Sequence, residues 1–224
     1  MTIKPPIPEP APARRASPSA PRSPKGVRTR QRIMAATAQL LRERPLADVR
    51  VSDVARVADV AQPNFYTYFA SVEDVILALG QEINADHLAI FIDEYDWTGE
   101  SGMAGPRKLV EAALVFWREY GALFSIIGHL ADRRRGDFAP LRSRQMRAVY
   151  KSFERRIRES QAAGRISAKV QPRLAGYECI SVLQSVCGAY DLLASSGFTH
   201  EQLVETTARL LHMIAVGDGA QAAA

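Results

Sequence analysis

From Gln62 to Phe69 the chain carries side chains whose types and spacing suit reading the edges of a nucleic-acid duplex. Gln62 and Asn64 bring amides, which can pair with adenine. The rings of Tyr66 and Tyr68 can lie on a thymine methyl, and their hydroxyls, with that of Thr67, reach phosphates. Phe65 and Phe69 stand four apart, so in a helix they share the face that points inward and leave the polar set outside. Other chemistries lack their residues. The sequence has no Gly-rich phosphate loop, no His-Glu-x-x-His, no Gly-x-Ser-x-Gly and no Cys-x-x-Cys. Its four histidines, His87, His129, His200 and His212, are scattered, so no catalysis, metal or cofactor is expected.

Two short helices must position this face. Val54, Ala55, Val57 and Ala58 pattern the first, which stops at Asp59-Val60. The second starts about three residues later with Pro63 in its first turn, where a missing N–H costs nothing. Two short helices and a tight turn make a helix-turn-helix, whose second helix fits a major groove. Upstream, a helix over 25–44 puts Ile33, Ala36, Thr37, Leu40 and Leu41 inward and ends at Pro45. Downstream, Ser71-x-x-Asp74 opens a further helix with Val75, Ile76, Leu79 and Ile83 along one face.

The 224 residues carry a net charge of +5, and its distribution says more than its sum. Residues 1–24 are +3, residues 25–69 are +4, and the remainder is −2. Positive charge therefore sits with the helix-turn-helix, the footprint of a polyanion partner. Residues 1–24 also hold eight of the thirteen prolines and no apolar period, which predicts a disordered basic tail. It is either an inert extension or an arm that adds phosphate or minor-groove contacts. No run of eighteen apolar residues and no signal-peptide core occur, so a cytoplasmic protein without membrane contact is expected. Cys179 and Cys187, eight apart on one predicted helix, lie ~12 Å apart along its axis, too far for a mutual disulfide. Buried packing thiols and redox sensors are the two readings.

The run Arg32-Ile33-Met34-Ala35-Ala36-Thr37, the pair Val54-Ala55, Gln62-Pro63, Phe65-Tyr66-x-Tyr68-Phe69 and Ser71 resemble the TetR family of bacterial transcriptional repressors. Arg44-Pro45-Leu46-Ala47-Asp48 with Pro63-Asn64-Phe65-Tyr66 is most similar to its EthR-like members. The resemblance implies a DNA-binding head over 25–70, an effector-binding and dimerisation domain over 71–217 and a frayed tail over 218–224. Its DNA-facing set is Arg28, Thr29, Ser52, Gln62, Pro63, Asn64, Tyr66, Thr67 and Tyr68. Four positions depart from the pattern. Ala61 stands where Ser or Thr usually caps the recognition helix, a loss worth ~1 kcal/mol. Val72 replaces a phosphate-meeting Lys, Asp59 replaces a turn Gly, and Arg50 occupies the usual Ser or Thr cap of the preceding helix.

The second half reads as helices throughout, making an all-α fold of about nine. Gly99, Gly102 and Gly105 mark a loop over 95–105, after which a helix runs to Tyr120, breaks near Gly121 and resumes to Ala131. Residues 132–137 form a solvated polar turn. Continuous helices follow over 140–163, from Pro172 to Ser195, and from the Thr199-x-x-Gln202 capping box through Ile214. The resemblance implies an apolar effector among these helices. Phe116, Trp117, Tyr120, Phe124, Met146, Tyr150, Gln184 and Tyr190 are the candidates to line its site, with Gln184, Tyr150 and Tyr190 orienting it. It also implies a homodimer through the last two helices, a near-palindromic double-stranded operator, and release when the effector shifts the population to a weaker-binding state. An architectural DNA-binding protein of the same fold, with a solid core and no effector, is the other reading.

Overall fold

The computed structural model describes residues 23–99, 101–133 and 136–217. The expected tails lie outside them, except that Ser23 and Pro24 cap and begin the first helix. Every regular element among the described residues is helical. The chain divides into two compact units between Ile76 and Leu77.

In the first unit, α1 (Pro24–Glu43) starts where Ser23 Oγ accepts the Gly26 N–H at 3.1 Å. It stops at Arg44, because the residue before Pro45 is driven to extended backbone. A 3-10 turn, Leu46–Asp48, leads to α2 (Val51–Val57) and α3 (Gln62–Tyr68). Ile33 and Leu40 of α1, Val54 of α2, and Phe65 and Phe69 are buried, which gives three short helices a common core. The Arg30 guanidinium covers the Phe69 ring at 5.0 Å.

Helix α4 (Val72–Glu82) crosses the division between the units. Its start is held twice, by Ser71 Oγ accepting the Asp74 N–H and by Asp74 Oδ2 accepting the Ala70 N–H, both at 3.2 Å. Within 72–93 one 18-residue window is apolar enough for a bilayer span by composition. The helix nevertheless ends at Glu82, and half of that stretch is buried inside the protein. A 3-10 turn, Asp86–Ala89, and α5 (Ile90–Asp93) follow.

The rest of the second unit is α6 (Ala104–Asp132), α7 (Phe138–Gln145), α8 (Arg147–Ala162), α9 (Pro172–Gly188), α10 (Tyr190–Ser195) and α11 (His200–Ala215). Helices α8 and α9 pack along each other, and α11 lies on α6 and α9. The Thr199 box closes as expected, with Thr199 Oγ1 taking the Gln202 N–H at 3.2 Å and Gln202 Oε1 taking the Thr199 N–H at 2.9 Å.

Several expected boundaries are corrected. The eleven α-helical segments among the described residues exceed the nine expected. Helix α6 runs through Gly121 unbroken, because that glycine makes room for a ring: a Cβ there would sit 2.5 Å from Trp117 Nε1. The expected helix over 140–163 is split at Met146, where the Gln145 carbonyl leaves the ladder to accept the Ala85 N–H at 3.2 Å. The expected helix over 172–195 turns at Ala189, directly after Gly188, which lies against the Trp117 ring.

Gly121 supports a test with a sign. If it were a helix breaker, alanine would stabilise by ~1 kcal/mol. As a seat for Trp117, Gly121→Ala is expected to destabilise by ~1–3 kcal/mol, read from the urea midpoint.

Candidate nucleic-acid interface and sensor cleft

Helix α3 presents its face because Phe65, fully buried, fixes its rotation, and the Phe65 and Phe69 rings meet at 6.1 Å. Gln62, Pro63, Asn64, Tyr66 and Thr67 are exposed, while Tyr68 is half-buried. No side chain caps α3; the Ala61 carbonyl takes the Asn64 N–H at 2.8 Å instead. Asp59 makes the turn with φ 49°, the left-handed conformation for which Asp is among the better substitutes for Gly. Arg32 holds that turn, its Nη2 bonding the Asp59 carbonyl at 2.5 Å and Oδ2 at 2.9 Å.

Ser52, Gln62 and Tyr66 share a groove of about 600 Å³ with Arg50, Ala70 and Glu73. Arg50 belongs to this surface although the sequence pattern read it only as a helix cap. Its own N–H goes to Asp53 Oδ2 at 3.3 Å. The cations are unequally available. Arg44 pairs with Asp53 at 3.1 Å and Arg32 with Asp59, whereas Arg28 and Arg50 are exposed and have no ion-pair partner among the described residues. Thr29, of the expected DNA-facing set, is half-buried and donates its hydroxyl back to the Lys25 carbonyl at 3.1 Å.

In the second unit seven of the eight expected lining residues belong to one hydrophobic cluster, against which Trp117, Tyr120, Tyr150 and Tyr190 are packed part-buried. Phe116, Phe124 and Met146 are buried in the core, Phe116 packing on Tyr120 at 5.2 Å and on Phe124 at 5.5 Å. Tyr150 stacks on Tyr177 at 5.8 Å. Burial, then the Tyr177 hydroxyl, pushes the Tyr150 phenol up to about 12, against a smaller opposing pull from Arg142. Tyr190 donates to or accepts from His200 Nδ1 at 2.9 Å. Trp117, Phe124 and Gln184 line one cleft of about 320 Å³ with Ser125, Gly128, His129, Asp132 and Arg142. That polar half was missed because 132–137 reads as a solvated turn and Arg142 as a solvated helix face. The readable signal was Phe124, Gly128 and Asp132 at intervals of four, which puts an aromatic, a gap and a carboxylate on one stripe of α6.

Residues 33–79 match the model of bacterial regulatory proteins of the tetR family, and residues 88–221 match the tetracyclin repressor-like C-terminal domain. The HTH-type transcriptional regulator EthR of Mycobacterium tuberculosis is 49% identical over 47 residues, which span 21% of this chain and 22% of that protein. A solved TetR-family regulator of Syntrophomonas wolfei superposes with a TM-score of 0.58 at 17% identity, over 85% of this chain and 96% of the other. The regulator FadR of Bacillus subtilis, solved with stearoyl-CoA, superposes with a TM-score of 0.54 at 18% identity, over 84% and 98%. Identities this low in the two structures establish a shared fold.

The cysteines can be tested directly. Cys179 and Cys187 are buried and free, and burial pushes both thiols up to about 12, so neither supplies the thiolate that redox sensing needs. Iodoacetamide at neutral pH is expected to label neither in the folded protein and both in urea, by mass spectrometry. The folded state keeps the protons that the unfolded chain loses first. The thiols' contribution to stability is therefore constant below about pH 9 and is lost between about 9 and about 12, so the wild type should lose more stability over that range than a Cys179→Ala, Cys187→Ala double variant.

Proposed function

Because the chain belongs to the TetR family of bacterial transcriptional regulators, we propose that it is a ligand-responsive repressor binding a near-palindromic operator as a homodimer in the cytoplasm. The observation that carries the operator reading is the face of α3, where buried Phe65 turns Gln62, Asn64, Tyr66 and Thr67 outward. Exposed Arg28 and Arg50 supply cations for phosphates, and Ser52 lines the same groove as Gln62 and Tyr66.

A second copy of the chain is supported by apolar side chains left in solvent on the last helices. Leu174 and Tyr177 on α9, Leu192 on α10, and Leu210 and Met213 on α11 are 43–68% exposed. The α9 pair is three apart and the α11 pair three apart, so each helix carries a stripe. Two-fold pairing of these stripes buries them and sets two recognition helices for two half-sites ~34 Å apart. The small molecule has an apolar body that rests on the Trp117 and Phe124 rings. By binding the weaker DNA-binding conformation better, it lowers operator affinity by its differential binding energy.

Operator duplexes selected from random DNA test this reading. Tyr66→Ala and Gln62→Ala are each expected to weaken binding by ~1–3 kcal/mol with little change in melting temperature, and wild-type affinity should fall steeply with salt. Phe65→Ala should instead cost ~3–5 kcal/mol of stability. Wild-type operator affinity in Tyr66→Ala would show that the reading face is wrongly assigned. For assembly, Leu192→Glu is expected to shift the protein toward monomer in light scattering while keeping its helical content. A wild-type chain already monomeric at micromolar concentration would rule out the dimer.

A further inference from the structure

The cleft between α6, α7 and α9 has a composition that an apolar effector does not explain. Its walls are the Trp117 and Phe124 rings, 6.1 Å apart, while Ser125, His129, Asp132, Arg142 and Gln184 surround them. The indole N–H of Trp117, the Ser125 hydroxyl, the His129 ring and the Gln184 amide make no hydrogen bond to any described residue. The charged pair at the rim is loosely made. Arg142 meets Asp132 through Nη1 alone, at 3.0 Å, so the guanidinium fork presents the rest of its donors unused. Arg142 is also the deeper partner, its side chain 33% exposed against 74% for Asp132. Gly128 lies beside Arg142: a Cβ there would touch the guanidinium at ordinary contact distance, 3.6 Å.

We propose that this cleft binds a compact ring-bearing carboxylate, whose ring lies on Trp117 and Phe124 and whose carboxylate takes Arg142 from Asp132. The proposal rests on the sensor reading above and gives the effector its chemical class. Planar carboxylates match the guanidinium fork with two parallel bonds, where Asp132 supplies one. A volume of about 320 Å³ lies at the small end of ligand sites, about 300–1,000 Å³, which suits one or two rings and not a long acyl chain. The cleft is also wired to α4. Arg142 and Gln145 lie three apart on α7, and Gln145 Nε2 donates to the Gly80 carbonyl of α4 at 2.7 Å. Leu141 and Ile127 pack closely on Gly80, where a Cβ would meet them at 2.7 and 2.6 Å, so the α7 side of the cleft touches α4 through side chains as well as through the Gln145 amide.

The test titrates the full-length protein with naphthoate and with naphthamide, its neutral match in shape, following tryptophan fluorescence and melting temperature. Naphthoate is expected to bind about tenfold or more tightly than the amide, and Arg142→Gln to remove that difference. Asp132→Asn keeps Arg142 and removes its competitor, so it should tighten naphthoate binding severalfold, a gain that a merely damaged fold would not produce. Equal binding of the two probes, no naphthoate binding at ~1 mM, or weaker binding in Asp132→Asn would each overturn the assignment. Operator affinity in the same samples separates this from the sensor reading. Naphthoate that binds through Arg142 yet leaves operator affinity unchanged upholds the cleft and overturns its sensor role. Operator release by another compound that persists in Arg142→Gln overturns the cleft and upholds the sensor.

Discussion

The side chain of Gln145 is buried and donates to the carbonyl of Gly80 at 2.7 Å, while the backbone carbonyl of Gln145 accepts the Ala85 N–H at 3.2 Å. One residue thus secures the end of α4 and the segment after it, and in doing so divides α7 from α8. The arrangement is not fully satisfied, because Gln145 Oε1 is buried without a partner among the described residues. An orphaned buried acceptor costs ~1–3 kcal/mol. Packing by Leu141 and Ile127 around Gly80 therefore holds a position that the amide alone does not favour.

Away from that junction the second unit is built to stay still. Trp97 is fully buried, donates its indole N–H to the Phe91 carbonyl at 2.9 Å and receives His212 Nε2 on its own carbonyl at 2.7 Å. Arg156 lies over its ring at 5.3 Å and binds the Tyr95 carbonyl at 2.8 Å and the Ile92 carbonyl. Gly105 lets α6 pass close by, since a Cβ there would sit 2.4 Å from the indole nitrogen. The segment before α6 is thereby tied to α8 and α11.

Local chemistry was legible in the sequence. Pro45, the Ser71 and Thr199 caps, and the spacing of Phe65 and Phe69 each act within a turn or two, and the helices begin, end and face as those residues dictate. What the sequence concealed depends on residues far apart in the chain. Gly121 reads as a breaker until the Trp117 ring fills its empty side, and Trp97 sits in a run of glycines that reads as loose loop until Arg156 and His212 close on it. The sensor lining was read from aromatic content, but Phe116 and Met146 fill the core, and the polar groups that would orient a ligand come from a turn and a helix face that looked solvated.

The turn of the head couples two positions 27 residues apart. Asp59 replaces the conformational freedom of glycine with a carboxylate, and Arg32 ties both that carboxylate and the carbonyl behind it. The solution removes one cation from those free to meet phosphate. A descendant that regained glycine at position 59 would no longer need the clasp, and Arg32 would return to the pool of mobile charges. Positions 32 and 59 are therefore expected to change together across a lineage, with the affinity of the head for any duplex, matched or not, rising each time the clasp is dissolved.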